Sequence, residues 1–301
     1  MLRIACTGFL GLALVAGAID FSAAQEKKAE ERPSQKAVLS ADTSVKSDVP
    51  YGKDELQRLD IYAPKKAKDA PVVLFIHGGE WMKGDKADVS FKPKFFNDNG
   101  IVFVSLNYRL SPKDVHPAHV SDIASAVRWV RDHASDIGAS PNKIFLMGHS
   151  AGCHLAALAA LDPRHLEKEK LKTTDLRGVI AWSGGMYDLV DRAKGEGNYP
   201  KYIRQAFGES EAAWRDASPA AHVGDAPMPP FLFAYIERKA EGTTPRVEPS
   251  VMMGERIRKA KGVAEVHLLE GKTHFDANHF LGAPGDTMGD LVIRFIRKHA
   301  E

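Results

Sequence analysis

From about Leu56 onward, short apolar runs alternate with amphipathic stretches. Residues 71–76 (PVVLFI) are almost continuously apolar, which predicts a strand buried on both faces. Residues 101–107 and 143–147 have the same character, and residues 59–62, 178–182, 231–235 and 263–269 predict further strands. Between them, residues 119–133 place Val120, Ile123, Ala124, Val127 and Val130 at helical spacing. Residues 91–97 predict a short helix before Asn99-Gly100. Residues 151–161 predict an Ala-rich helix stopped by Asp162-Pro163, and residues 291–299 a closing helix. Strands and helices in alternation predict an α/β fold, a mostly parallel sheet with helices on both faces. Ligands of such sheets sit beyond the carboxyl ends of the strands. The residues to inspect are therefore His77-Gly78-Gly79, Asn107-Tyr108-Arg109, Gly148-His149-Ser150, Ser183-Gly184-Gly185, the Glu237 region and the segment from Gly271 to His274.

The pattern differs at the N-terminus. Arg3 precedes an apolar run over residues 4–19, and the small residues Ser22, Ala23 and Ala24 follow. The run is shorter than the roughly 20 residues that span a bilayer. Residues 1–24 therefore read as a secretory signal peptide cleaved near Ala24, which predicts export and no stable membrane insertion afterwards. Residues 25–50 are rich in Lys, Glu, Ser, Ala and Asp and read as a flexible tether; residues 51–301 read as the folded domain.

Composition changes this picture only a little. The 301 residues carry 41 Lys and Arg against 39 Asp and Glu, a net charge of +2. That balance argues against nucleic acid or an anionic membrane as the main partner. The two cysteines, Cys6 and Cys153, make no disulfide framework, and Cys6 falls within the signal. No Cys/His cluster has zinc spacing and no loop has a phosphate-cradling pattern, so no cofactor is expected.

Chemistry enters with Gly148-His149-Ser150-Ala151-Gly152, which fits G-x-S-x-G between a strand and a helix. Ser150 would stand on a tight turn, its hydroxyl above the sheet, with glycines on either side letting strand and helix approach. After residues 71–76 comes His77-Gly78-Gly79-Glu80-Trp81. The backbone N–H groups of Gly78 and Gly79, with Glu80 as a further candidate, would face a developing oxyanion. The N–H of Ala151 would approach from the other side. His77 reads as a loop-stabilising residue. A base is needed after the last strand, where Lys272-Thr273-His274-Phe275 offers His274. His279 is the competitor and reads as part of the following element; His149 and His154 flank the elbow and read as supporting residues. Trp81 and Trp182 read as core more than pocket lining, Cys153 as a buried thiol without a base, and Lys65, Lys66 and Lys68 as a solvated turn.

From Leu59 to the end, these stretches resemble the α/β-hydrolases of the hormone-sensitive-lipase and carboxylesterase type. They are nearest the bacterial esterases and kynurenine-formamidase-like members that carry HGGxW. The matching phrases are LDIYAP, HGGEWMKGDK, VSLNYRLSP, DIASAVRWVRDHA, GHSAGCHLAAL, GKTHF and LGAPGD. The resemblance implies the α/β-hydrolase fold with a small cap insertion at about residues 188–215. It also implies hydrolysis of a small carboxylic ester through an acyl-serine intermediate, with Ser150 as nucleophile and His274 as base. Amide hydrolysis of the kynurenine-formamidase kind, and a ligand-binding pseudo-hydrolase, are the alternatives. The sequence departs from the family at the acid. An Asp is expected soon after the strand at residues 231–235, yet none occurs between Asp225 and Asp276. Glu241, displaced by a short insertion, is the leading candidate, with Glu237, Asp188 and Glu248 as alternatives. Glu can orient an imidazole as Asp does.

Overall fold

The apolar runs meet in one eight-stranded sheet in a computed structural model that describes residues 36–195, 198–224, 226–237 and 248–301. The strands are β1 (Thr43–Pro50), β2 (Arg58–Pro64), β3 (Ala70–Ile76), β4 (Val102–Leu106), β5 (Ala139–His149), β6 (Leu176–Trp182), β7 (Phe231–Ile236) and β8 (Ala264–Leu269). Helices α1 (Lys92–Asp98), α2 (Ala118–Asp132), α3 (Ala151–Leu161) and α4 (Pro163–Lys168) accompany the first five strands and the run-up to β6. Then come α5 (Leu189–Ala193), α6 (Tyr199–Phe207), α7 (Glu211–Asp216), α8 (Pro249–Lys259), α9 (His274–His279) and α10 (Gly289–His299). The sheet order is β1-β2-β4-β3-β5-β6-β7-β8. β1 and β2 run antiparallel to their neighbours, and every pairing from β4 across to β8 is parallel.

The continuous apolar runs are explained by two cores, one on each face. In β3, Val72, Leu74 and Ile76 point into one, with residues of α2, α3 and α8. Val73 and Phe75 point into the other, with residues of α1 and α10. At about 1.5–3 kcal/mol for each large apolar side chain removed from water, the central strands are the main source of stability. The helices lie close to the sheet. A Cβ at Gly178 in β6 would come 2.7 Å from Phe295 of α10, so a larger residue would push that helix away.

Two elements depart from expectation. Residues 43–50, read from the sequence as the end of the tether, form the edge strand β1, paired with β2 from Thr43–Pro64 to Pro50–Arg58. Most of its positions face water, so it carries no apolar alternation to reveal it. Val38 extends the attachment by exchanging backbone hydrogen bonds with Ser90 and Lys94. Helix α8 was also not anticipated. Its interior Gly254 weakens the helical signal, yet a Cβ there would meet Val266 of β8 at 2.5 Å.

Helices α5, α6 and α7 follow one another between β6 and β7. The inner face of α6 is anchored: Ile203, Ala206 and Phe207 are buried, and Phe207 packs edge-on against Trp81 with ring centroids 4.8 Å apart.

Candidate active site

Ser150 stands between β5 and α3 with φ 55° and ψ −118°, a left-handed conformation that costs a non-glycine residue energy. The two motif glycines make this turn possible. A Cβ at Gly148 would lie 2.1 Å from the carbonyl of Gly152, and one at Gly152 would lie 2.1 Å from the carbonyl of Ile76. Neither position can take a side chain without moving backbone. The helix N-terminus behind Ser150 favours negative charge developing near it.

The loop after β3 closes one side of the serine. A Cβ added to Gly78 would come 2.9 Å from Ser150 Cβ, so only glycine keeps the space beside the serine clear. Gly79 has φ +114° and lies against the backbone of Lys83, while Glu80 and Trp81 are also left-handed. Among the described residues, nothing accepts a hydrogen bond from the N–H of Gly78, Gly79 or Ala151. His77 holds this loop: its Nδ1 donates to the carbonyl of Gly78 at 2.7 Å and its ring stacks on Tyr108 at 4.5 Å. Burial pushes the pKa of His77 down, so it stays neutral and structural. Glu80 makes an ion pair with Lys83 at the surface.

His274 is the first residue of α9, not part of a loop, and Thr273 and Asp276 form a capping box around it. Its Nδ1 lies 2.8 Å from the hydroxyl of Ser183, the residue after β6. Ser183 is 2% exposed and left-handed, with φ 54°. Its backbone N–H is fixed to the carbonyl of Ala234 at 2.7 Å. The next residue, Gly184, lies against Ser150: a Cβ there would be 3.2 Å from the Ser150 carbonyl. His149 completes the group. Its Nε2 donates to the backbone carbonyl of His274 at 3.2 Å, and the two rings lie 4.4 Å apart. Burial, the neighbouring His274 and Lys92 together push His149 well below the usual histidine pKa. It therefore packs as a neutral ring.

The other candidates lie apart from this group. His279 is buried at the far end of α9, where its Nδ1 meets the Ser90 hydroxyl at 3.0 Å. His154 is pushed down to about 3 by burial; it accepts from Trp81 Nε1 at 3.2 Å and its Nε2 donates to the Ala217 carbonyl at 2.7 Å. Trp81 and Trp182 are buried core residues. Cys153 is buried, its thiol hydrogen-bonded to the carbonyls of Gly148 and Trp182, and burial pushes its pKa up. It is not a second nucleophile.

Among the carboxylates, Asp188 is exposed and caps α5 through the N–H groups of Val190 and Asp191. Glu237 is exposed beyond the end of β7. Glu248 precedes α8, with its Oε1 3.7 Å from a Cβ built on Gly185, two residues from Ser183. Glu241 lies outside the described residues. A cavity of about 620 Å³ opens beside this region, lined by Gly185, Tyr187, Arg192, Pro249, Met252 and Met253. Ser183 is the residue to which sequence reasoning assigned no role. Its position directly after a strand was the available signal.

Residues 59–238 match the BD-FAE family model. The chain belongs to that family. It is 30% identical over 275 residues to the isoprenylcysteine alpha-carbonyl methylesterase ICME of Arabidopsis thaliana, covering 85% of this chain and 62% of that protein. It is 32% identical over 201 residues to the esterase LipC of Mycobacterium tuberculosis, covering 62% of this chain and 49% of that protein. The chain thus spans about half to two thirds of the length of these relatives. Among solved structures it resembles esterase B from Lactobacillus rhamnosis, with TM-score 0.71, 18% identity, and 93% and 91% of the two chains covered. It also resembles the metagenomic carboxylesterase EstE1, with TM-score 0.68, 24% identity and 87% and 90% covered. The chain therefore has the α/β-hydrolase fold, of the hormone-sensitive-lipase and carboxylesterase type, as its sequence implied.

Proposed function

We propose that the protein is a serine hydrolase of small carboxylic esters, with Ser150 as nucleophile and His274 as base. The observations that support the reading are the strained Ser150 elbow against Gly78 and, after the last strand, His274, whose Nδ1 meets the Ser183 hydroxyl and whose carbonyl accepts from His149. When His274 Nδ1–H donates to Ser183 Oγ, Nε2 keeps its lone pair and is the nitrogen that takes the serine proton. Ser150 Oγ then forms a bond to the ester carbonyl carbon. The oxyanion accepts from the N–H groups of Gly78, Gly79 and Ala151, which are fixed in advance. Collapse of this intermediate breaks the ester bond. His274 returns the proton to the leaving alcohol, and the acyl group stays on Ser150. A water molecule, deprotonated by His274, releases the acid and regenerates the serine. The curated relatives whose names describe esterases and methylesterases support this class of reaction.

The carboxylate of the triad is proposed to be Glu241, which would share the Nδ1–H of His274 with Ser183 Oγ. Its support is its place in the chain between β7 and α8, together with the use of Asp188 as a helix cap. Glu241→Gln should lower turnover far more than Glu248→Gln, and the reverse order would transfer the role to Glu248. Export is proposed from Arg3, the apolar run that follows it, and the small residues before Gln25.

The experiment is hydrolysis of p-nitrophenyl acetate and butyrate by the wild type and by Ser150→Ala. Loss of saturable turnover in the variant is expected. Equal, slow release by both would overturn the reading and favour a pseudo-hydrolase.

A further inference from the structure

Helix α9 has six residues, too few to hold its own shape in water, so its position is set by the groups that tie it down. Its first residue is His274. The last carbonyls of a helix have no partner within it, and two of those in α9 are taken by side chains of neighbouring elements. Trp182 Nε1 donates to the carbonyl of Ala277 at 2.6 Å. The next carbonyl, that of Asn278, accepts at 2.5 Å from the Nζ of Lys92, the first residue of α1.

Lys92 is an unusual residue to find there. It is 0% exposed, and its Nζ sits 4.9 Å from the centre of the Phe75 ring. No carboxylate is within ion-pair distance of it among the described residues. The ionisable groups around it are Asp88 before α1, His149 at the end of β5 and His279 of α9, with Asp276 acting on His279. Burial pushes its pKa down to about 7, against the pull of Asp88. As ammonium or as amine, the Nζ can donate to the Asn278 carbonyl. A buried lysine without an acidic partner adds little to stability, because the cost of desolvation opposes its one hydrogen bond.

We propose that Lys92 is a positioning residue for catalysis: it fastens the inner end of α9 and so fixes where His274 stands relative to Ser150. The inference rests on the reading of Ser150 and His274 given above. His149 ties the same short helix at the backbone of His274 itself, so the base is pinned at both ends of α9. Releasing one end lets the helix shift or tilt. A displacement of about 1 Å in a reacting group can cost about 10²-fold in rate.

Lys92→Met keeps the length and apolar bulk of the side chain and removes the donor and the charge. The first readout is the rate at which a p-nitrophenyl alkylphosphonate modifies Ser150, followed by nitrophenolate release, which does not depend on knowing the natural substrate. Turnover of p-nitrophenyl butyrate per titrated serine and the thermal midpoint accompany it. The expected result is a 10- to 100-fold slower phosphonylation and a matching fall in kcat, with KM within threefold and a thermal midpoint no lower than wild type. A folded Lys92→Met protein whose phosphonylation rate and kcat stay within threefold of wild type would overturn the proposal. A lower midpoint with full activity per titrated site would make Lys92 structural only, which also overturns it. Should Lys92→Met not fold, Lys92→Leu removes the same donor with a smaller apolar side chain, and the same fall in phosphonylation rate and kcat is expected; values within threefold of wild type in the folded variant would overturn the proposal. Failure of wild-type phosphonylation at Ser150 would instead overturn the underlying assignment of the nucleophile.

Discussion

Replacing Ser183 with Ala tests how the base is oriented. The 2.8 Å contact between Ser183 Oγ and His274 Nδ1 is made by a residue only 2% exposed, so water has no easy route to replace the lost hydroxyl. The imidazole becomes cationic in the transition state, and a hydrogen bond to a charged group is worth about 1.5–3 kcal/mol. At about 1.4 kcal/mol for each factor of ten, the expected fall in kcat is roughly 10- to 150-fold. Backbone terms cancel, because Ala and Ser are equally strained at φ 54° and the N–H bond to Ala234 is retained. Ser183 meets Nδ1 and not the nitrogen that takes the serine proton, so KM should stay within threefold. Loss of one buried hydrogen bond should lower the thermal midpoint by about 2–4 °C. Initial rates with p-nitrophenyl butyrate over a range of substrate concentrations separate kcat from KM. A kcat within threefold of wild type in a folded protein would refute the argument.

Gly78→Ala should cost about 10²–10³ in kcat, because its Cβ would press on Ser150 and disturb the donor loop; steady-state kinetics on folded protein check this, and retained activity would remove Gly78 from the oxyanion site. Asp162→Asn tests a pH-dependent source of stability. Burial raises the Asp162 pKa, but hydrogen bonds from His165 and Arg164 outweigh it and hold the carboxyl well below the usual range. The stabilisation is therefore present above the unfolded pKa of about 3.9 and is lost as pH falls through the lower folded value. Urea unfolding should show the variant weaker by about 2–3 kcal/mol at pH 7 and the gap closing below about pH 4; a gap unchanged with pH would contradict this.

The central strands were legible because burial on both faces leaves an unbroken apolar run, as in β3. The elbow was legible because Gly148 and Gly152 are backbone contacts that no other residue permits. β1 was hidden because a wet edge strand needs no hydrophobic pattern. Ser183 was hidden for a different reason. Its role depends on His274, 91 residues later, and a serine after a strand has no local mark that distinguishes it. The same holds for Lys92 beneath α9, where sequence pattern alone would place a lysine at the surface.

The central claim is that Ser150 carries the acyl group. Rapid quenching of the protein with p-nitrophenyl butyrate, followed by mass spectrometry of the peptide containing Ser150, tests it most directly. A butyryl adduct on Ser150, forming with the nitrophenolate burst and missing in Ser150→Ala, is the expected result. A burst without an adduct at Ser150, or undiminished turnover by the variant, would contradict the account.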